Sequence, residues 1–219
     1  EHLGVDIVLE DELNHLSLIR TNRRLRAARR IPVISIIHHL AASEGQPGLR
    51  GRLLRRLESA YLRTLNGAIF NSEVTRRTVA RARGSSLPGV VCMPSIDTPV
   101  AEDVPARGLR ADGTLRLLSV GNLIARKRMD AVVRAIARLA DPGVSLTIVG
   151  SASAEPATAE ALHGVARDLG VAERVQFVGE IDDDSLSEAY REHDLFVLPS
   201  QYEGFGMVYL EAMSHGLPV

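Results

Sequence analysis

The second half of this chain alternates short apolar runs with helical segments, and this alternation restricts the fold more than any other feature of the sequence. The runs at 115–120, 145–149, 175–178 and 195–198 are predicted strands. Helices are predicted at 130–139 and about 159–169, after Asp182–Asp184, and from about Met207. Because the strands are apolar throughout, we expect a parallel sheet that is covered on both faces.

Ligands bind such sheets outside the carboxyl ends of the strands. The loops that follow the predicted strands are therefore the candidate site segments. They are 121–129, 150–155, 179–184 and 199–206.

The first half repeats the alternation less clearly. Its predicted strands are 5–9, 31–37, 67–70 and 90–93, with helices at about 14–30, around 53–65 and after Ser72. Ser72 is a predicted helix cap, with Thr75 one turn into the helix. Residues 97–114 are rich in Asp, Pro, Gly and Ala, lack periodicity and are predicted to link two domains. We place those domains at 1–108 and 109–219.

Composition limits the class of protein. The 219 residues are 45% apolar, and no apolar run approaches the roughly 20 residues of a membrane span. The start of the chain has no signal-peptide pattern. The single cysteine, Cys92, excludes an internal disulfide and fits a reducing, cytoplasmic compartment. Because Cys92 lies in an apolar run, we expect it to be buried and inert.

Charge is distributed unevenly along the chain. Residues 1–84 contain 15 arginines, no lysine and 8 acidic residues, a balance of +7, whereas residues 85–219 have a balance of −8. Arginines crowd two predicted N-terminal helices: Arg20, Arg23, Arg24, Arg26, Arg29, Arg30, Arg50, Arg52, Arg55, Arg56 and Arg63. They form a solvated face or a contact with anionic membrane at the inner face of the membrane. Nucleic acid is disfavoured as a partner, because the chain has no Trp and few aromatic residues to stack on bases.

The loop from Pro199 to Gly206 places two glycines around a phenylalanine at a helix start. Glycine lets the backbone approach a ligand closely, and a helix N-terminus offers free N–H groups to an anion or a hydroxyl-rich ligand. Glu203 in the loop and Glu211 about one turn into the helix can accept hydrogen bonds from sugar hydroxyls. The alternative is a glycine-rich turn with a capping carboxylate.

The loop after the strand 115–120 contains three consecutive cations, Arg126, Lys127 and Arg128. Three cations at the carboxyl end of a strand suit a diphosphate. Lys127 is the only lysine in the chain, which indicates a need for a compact ammonium group at this position. A solvated turn is the alternative.

His38 and His39 directly follow the strand 31–37. A histidine there can hydrogen-bond a substrate hydroxyl or move a proton, or it can be structural. A metal site is disfavoured, because adjacent strand residues point in opposite directions and no Cys or carboxylate stands at ligand spacing.

Together these residues resemble the GT4 family of retaining glycosyltransferases, whose GT-B fold has two Rossmann-like parallel-sheet domains facing a cleft. Residues 199–219 match the family's P-S-x-x-E-G-F-G-x-x-x-L-E-A-M-x-x-G-x-P-V stretch almost throughout. Residues 120–130 resemble V-G-R-L-x-x-x-K-G-x-D, and 177–179 resemble the next marker. The first half is weakly similar, through His38 and the region from Glu58 to Ser72.

The resemblance implies that the second domain binds a nucleotide-sugar donor, that a hexose passes from a UDP- or GDP-sugar to an acceptor hydroxyl, and that no metal or other cofactor is needed. Lys127, with Arg126 nearby, would neutralise the leaving diphosphate, and Glu211 would hold the ribose hydroxyls. Glu203 and the backbone of Gly204, Phe205 and Gly206 would hold the donor sugar, and His38 would contact it from the other domain. The implied catalytic residues are His38, Lys127 and Glu203. The implied donor-binding residues are Gly121, Asn122, Arg126, Lys127, Glu203, Gly204, Phe205, Gly206 and Glu211.

The sequence also departs from the family pattern. Asn122 stands where the family usually has arginine, and Arg126 or Arg128 is expected to compensate for the lost charge. Arg128 replaces a glycine. The N-terminal glycine-rich acceptor loop is missing, and the chain stops at Val219, so both domains are expected to be incomplete. A nucleotide-sugar epimerase on the same fold and an inactive basic protein that binds membranes or partners remain the alternative functions.

Overall fold

The computed structural model describes residues 5–28, 31–41, 48–96, 110, 112–139 and 141–219. The chain divides into two compact units. The first contains Glu1–Ser95 and Glu203–Phe205, and the second contains Ile96–Tyr202 and Gly206–Val219. The predicted domain boundary at 108/109 lies outside the described residues.

Within its described residues, the first unit is a parallel four-stranded sheet with three long helices. Its strands, in the spatial order of the sheet, are β1 (Val8–Asp11), β2 (Val33–Ile37), β3 (Gly67–Phe70) and β4 (Gly89–Val91). The helices are α1 (His15–Ala28), α2 (Gly48–Leu62) and α3 (Glu73–Arg83). Alternate residues of β2 are fully buried in a core shared with Tyr61 and Leu62 of α2. The predicted cap is confirmed, since the Ser72 side chain accepts a hydrogen bond from the Thr75 amide at 3.1 Å.

The prediction that Cys92 is buried is wrong. Cys92 is exposed, as are its neighbours Val90 (62%) and Met93 (71%). The reason is its position after β4, which lies at the edge of the sheet and pairs only with β3 among the described strands. An apolar run indicates burial only when other elements cover the strand on both faces.

The second unit is also a parallel four-stranded sheet. Its strands, in chain order, are β5 (Leu115–Val120), β6 (Val144–Val149), β7 (Val175–Gly179) and β8 (Leu195–Phe196). Its helices are α4 (Met129–Leu139), α5 (Pro156–Asp168), α6 (Asp183–Glu192) and α7 (Met207–Ser214). Four consecutive residues of β5, from Leu117 to Val120, are buried. This confirms the predicted covering of the sheet on both faces at its centre.

The order of the strands in the second sheet is β7-β6-β5-β8. The chain therefore builds outward from β5 to β7 and then returns to place β8 on the other side of β5. This reversal makes the gap between β5 and β8 a topological switch point, where open α/β sheets bind their ligands. The loops that leave these two strands are the ones that begin at Gly121 and Val197.

Predicted and observed elements agree in type and order, and they differ at their ends. The first strand was predicted at 5–9 and is found at Val8–Asp11, and the last was predicted at 195–198 and spans Leu195–Phe196. The final two residues of the predicted helix 14–30 lie outside the described residues. Within the described part of the chain, none of the helices combines the length and apolarity needed to cross a membrane.

Candidate functional site

A continuous ladder of hydrogen bonds joins the loops at the carboxyl edge of the second sheet. The Gln201 amide donates to the Arg126 carbonyl at 2.9 Å, and the Leu123 amide donates to the Ser151 carbonyl at 2.8 Å. The Gly150 amide donates to the Gly179 carbonyl, also at 2.8 Å. The structure thus brings all four predicted candidate loops to one edge.

Lys127 lies against the end of β5. It belongs to a short 3₁₀ turn, Ala125–Lys127, and is only 9% exposed. A Cβ atom added at Gly121 would lie 3.1 Å from Lys127 Cε and 3.4 Å from its Nζ. The lysine side chain therefore covers the backbone of Gly121, where a larger residue would displace it. This contact joins two of the residues that the sequence predicted for the donor site.

Arg126 holds two of the loops together. One guanidinium nitrogen donates to the carbonyl of Tyr202. The residue before Arg126 makes a second connection, because the backbone amide of Ala125 donates to the Glu155 carboxylate at 2.9 Å. This hydrogen bond is the main reason that the pKa of Glu155 is lowered. Asn122, the departure from the family pattern, is exposed. Arg126 is thus a loop-connecting residue in addition to its predicted role at the diphosphate.

Arg128 ends the 3₁₀ turn in the left-handed region, at φ 53° and ψ 33°. It is the one non-glycine residue with a positive φ in the described part of the chain. Side chains other than glycine are strained there by about 1–2 kcal/mol. The backbone at this position therefore favours the glycine that the family pattern has. The Arg128 guanidinium donates to Asp130 at 3.2 Å, which partly offsets the strain.

Glu211 lies one turn into α7, as predicted, and is half-buried. The Tyr190 hydroxyl of α6 donates to the Glu211 carboxylate at 2.9 Å. Tyr190 is 1% exposed, and burial together with the Glu211 charge raises the pKa of its hydroxyl. Tyr190 also stacks on His215, with ring centroids 5.2 Å apart. The Glu211 carboxylate is therefore held in place from the core side.

The remaining residues of the predicted glycine-rich loop are divided between the units. Glu203, Gly204 and Phe205 group with the first unit, and Gly206 groups with the second. Gly206 is the N-cap of α7 and has a φ of 86°, a left-handed conformation that glycine adopts without strain. This observation supplies the physical reason for a glycine at the start of the helix.

In the first unit, His38 is paired with an acidic residue of the neighbouring strand. His38 Nε2 lies 3.2 Å from a carboxylate oxygen of Asp11, the last residue of β1. The backbone amides of His38 and His39 both donate to the buried carboxylate of Glu12. Burial raises the pKa of Glu12, whereas the backbone hydrogen bond from Leu13 lowers that of Asp11.

The sequence predicted His38 and Glu211 as site residues but not the residues that contact them, Asp11, Glu12 and Tyr190. Asp11 ends β1 and Glu12 follows it, just as His38 follows β2, and the two strands are parallel neighbours. Their shared position at strand ends was the available signal. Tyr190 carried no comparable signal, because only the packing of α6 against α7 brings it to Glu211. Within the described ranges, no three His, Cys, Asp or Glu side chains converge as metal ligands would.

Comparison with known proteins identifies the family. The family description Glycosyl transferases group 1 matches residues 101–219, more than half of the chain. The chain belongs to this family. The match contains the four candidate loops of the second unit.

The relatives in sequence are named glycosyltransferases and a glycogen synthase. The chain is 33% identical to a D-inositol 3-phosphate glycosyltransferase of Mycobacteroides abscessus over 86% of this chain and 45% of the relative. It is 30% identical to a glycogen synthase of Mycobacterium tuberculosis over 86% of this chain and 46% of the relative. The chain thus spans about half the length of these relatives.

Solved structures of glycosyltransferases share the fold. HepE of Anabaena, in complex with UDP and glucose, matches 98% of this chain and 58% of its own with a TM-score of 0.76 and 22% identity. Sucrose-phosphate synthase of Thermosynechococcus elongatus matches 99% of this chain and 55% of its own with a TM-score of 0.71 and 24% identity. These neighbours confirm the predicted GT-B fold class.

Proposed function

We propose that this chain belongs to a cytoplasmic, retaining hexosyltransferase of the GT4 type. The donor is a UDP- or GDP-sugar. The hexose is transferred to a hydroxyl group of a glycan, a lipid or a small molecule. The observation that carries this proposal is the switch point between β5 and β8. It is flanked by the loop with Lys127 and by the loop that leads to Glu211. The UDP complex of HepE supports the choice of a nucleotide donor.

In this proposal Lys127 binds the diphosphate. When the bond between the anomeric carbon and the phosphate oxygen breaks, the electron pair passes to the phosphate and the ammonium group stabilises the added charge. The acceptor oxygen bonds to the anomeric carbon on the same face, and its proton leaves with the phosphate. Cations of the chain perform this stabilisation, so we expect the reaction to need no metal.

The other polar residues bind and orient the donor. Glu211, held by Tyr190, accepts hydrogen bonds from the ribose hydroxyls, and Glu203 with the backbone of Gly204–Gly206 binds the sugar. His38 contacts the donor sugar. Asp11 holds the ring nitrogen of His38 and so fixes the direction in which the imidazole points.

Calorimetric titration of the chain with UDP, GDP, UDP-glucose and GDP-mannose tests the donor site. Lys127→Gln is expected to weaken the affinity for the preferred nucleotide by at least about tenfold, because a charge-assisted contact to phosphate is lost. Arg167→Gln, an exposed arginine of α5, is the control and should leave the affinity unchanged. The proposal fails if none of the four ligands binds, or if Lys127→Gln and Arg167→Gln bind alike.

Product analysis distinguishes a transferase from an epimerase. Incubation with a nucleotide sugar and no acceptor should release free nucleotide and sugar slowly with retained anomeric configuration. Accumulation of an epimerised nucleotide sugar would instead support the alternative enzyme.

A second proposed role is contact with an anionic membrane at its cytoplasmic face, and one surface of α2 favours it. A groove of about 490 Å³ is lined by Arg52, Arg55, Arg56 and Ser59 of this helix and by Arg63, the residue that follows it. Leu49 and Leu53 beside them are 82% and 58% exposed. Glu58, the one acidic residue of α2, is 1% exposed, whereas Arg52, Arg55 and Arg56 are exposed. Exposed leucines among arginines are typical of a helix that lies on anionic lipid.

Vesicle sedimentation tests this contact. Vesicles with anionic phosphatidylglycerol should bind the chain, and vesicles of phosphatidylcholine alone should not. The double substitution of Arg52 and Arg56 by Gln should weaken binding about 30-fold, at about 1 kcal/mol for each arginine. The same substitution of Arg76 and Arg77, which pair with Glu73, is the control. Equal loss in both variants would exclude α2 as the contact surface.

A further inference from the structure

A cavity of about 620 Å³ opens between helices α4 and α5 of the second unit. Leu123, Met129 and Leu162 form its floor, and each is at most 5% exposed. Ala157 and Ala161 of α5 line it and are themselves exposed, so the cavity opens to solvent at these small side chains. Sites for small molecules typically have volumes of about 300–1,000 Å³ and mostly apolar walls. The cavity has the size and floor of such a site.

Three charged side chains stand at the rim of the cavity. Arg128 and Arg134 line it together with Asp130, which lies 3.2 Å from the first guanidinium and 3.8 Å from the second. One carboxylate between two guanidinium groups leaves a net charge of +1. Each guanidinium has five N–H donors, so both retain donors after pairing with Asp130. The rim therefore complements one anionic group.

The cavity is separate from the proposed donor site. Its described lining includes Ile124, Ala125 and Gln201 but neither Gly121 nor Lys127. Most of its lining residues belong to α4 and α5, and the loop residues Leu123, Ile124, Ala125, Arg128 and Gln201 close it toward the carboxyl edge of the sheet. Because Gly121 and Lys127 do not line the cavity, we expect a nucleotide bound at these two residues to leave it free.

We propose that this cavity is a second binding site of the chain, for a small amphiphilic anion. The apolar floor takes a body of one or two rings or a short alkyl chain, and Arg128 and Arg134 take a single carboxylate, sulfonate or phosphate group. Apolar burial supplies most of the affinity, and the charge at the rim selects anions over neutral molecules of the same shape.

The probe for this site is 1-anilinonaphthalene-8-sulfonate, which combines fused rings with one sulfonate and fluoresces when it leaves water. Titration of the chain should show saturable binding with one dissociation constant. Ala161→Phe should weaken this binding at least about tenfold, because the new ring occupies the cavity. Glu160→Phe is the control and places the same ring at the preceding position of α5, which is exposed and does not line the cavity. It should change the dissociation constant of the probe less than about twofold.

The charged rim is tested in the same way. Arg134→Gln should weaken binding about fivefold, whereas Arg138→Gln, one turn farther along the exposed side of α4, should not change it. Saturating UDP should not displace the probe. The proposal is overturned by absence of saturable binding, by equal constants within either pair of variants, or by competitive displacement with UDP. Circular dichroism of each variant verifies that it is folded.

Discussion

Replacement of Gly150 by alanine should damage the second unit more than any other single methyl addition at its carboxyl edge. Gly150 follows β6 with a φ of +146°, a conformation that L side chains rarely adopt. A Cβ atom there would lie 2.1 Å from the carbonyl oxygen of Gly121 and 2.5 Å from its carbonyl carbon. Both contacts are with backbone, so no rotation of a side chain can relieve them.

The magnitude follows from two contributions. Backbone strain at such a φ is of the order of 1–3 kcal/mol. Relief of the clash requires the segment from Gly121 to Leu123 to move away from β6, which breaks the hydrogen bond from Leu123 to Ser151 or the one from Gly121 to Val149. Each is worth about 0.5–1.5 kcal/mol. Restriction of the unfolded chain by alanine returns about 0.4–1 kcal/mol. We therefore expect the free energy of unfolding to fall by about 2 kcal/mol.

Urea denaturation followed by far-UV circular dichroism measures this change. Gly170→Ala is the control, because Gly170 has a φ of +67° but a Cβ there would meet no atom within 4 Å. It should lose only about 1 kcal/mol, from the strained φ alone. If Gly150→Ala is no less stable than Gly170→Ala, the contact between Gly150 and Gly121 does not fix the loop, and the reasoning is refuted.

Three further predictions concern other residues of the second unit. Arg128→Gly should raise the free energy of unfolding by about 0.5 kcal/mol, because removal of the left-handed backbone strain stabilises the chain by more than the loss of the exposed ion pair with Asp130 destabilises it. A lower free energy of unfolding in urea would contradict this. Burial lowers the pKa of His193 below its ordinary 6.5, so at mildly acidic pH the unfolded chain binds more protons than the folded chain. The free energy of unfolding should therefore fall as the pH drops below 6.5. Urea titrations at several pH values should show a smaller pH dependence of this free energy in His193→Gln. Tyr190→Phe should weaken UDP binding about fivefold by calorimetry with little loss of helix content, because it releases the carboxylate of Glu211; unchanged affinity would mean that this hydrogen bond does not orient the site.

Much of the fold could be predicted because its signals are local. The apolar runs and the helical spacing gave every strand and long helix in the correct order, and Ser72 identified the start of α3. The exposure of Cys92 could not be predicted, because it depends on where β4 falls in the sheet and on what covers it. Strand order is a property of long-range pairing, and nothing in an apolar run encodes its neighbours.

The candidate site divides in the same way. Lys127 and Glu211 could be proposed from the sequence because each belongs to a motif that is contiguous in sequence. Tyr190 lies 21 residues from Glu211, and their contact exists only after α6 and α7 have packed. Asp11 is similarly 27 residues from His38, and the parallel pairing of β1 with β2 brings them together. Both contacts join residues that are distant in sequence, so a contiguous motif does not reveal them.

The structure also bears on which cation replaces the positive charge of the arginine that the family usually has at the position of Asn122. Arg126 and Arg128 are the two candidates that the sequence offers. The Arg126 guanidinium donates to the Tyr202 carbonyl and the Arg128 guanidinium donates to Asp130, so contacts within the chain already orient both side chains. Arg128 is also strained, and it lines the wall of the cavity between α4 and α5. Lys127 contacts Gly121 at the end of β5. In the proposed donor site, it is therefore the cation that we expect to bind the diphosphate most directly. The contact with Gly121 also offers a physical reason for the single lysine at position 127 of an arginine-rich chain. An unbranched side chain with a compact ammonium group fits over the Gly121 backbone, where a planar guanidinium needs more room.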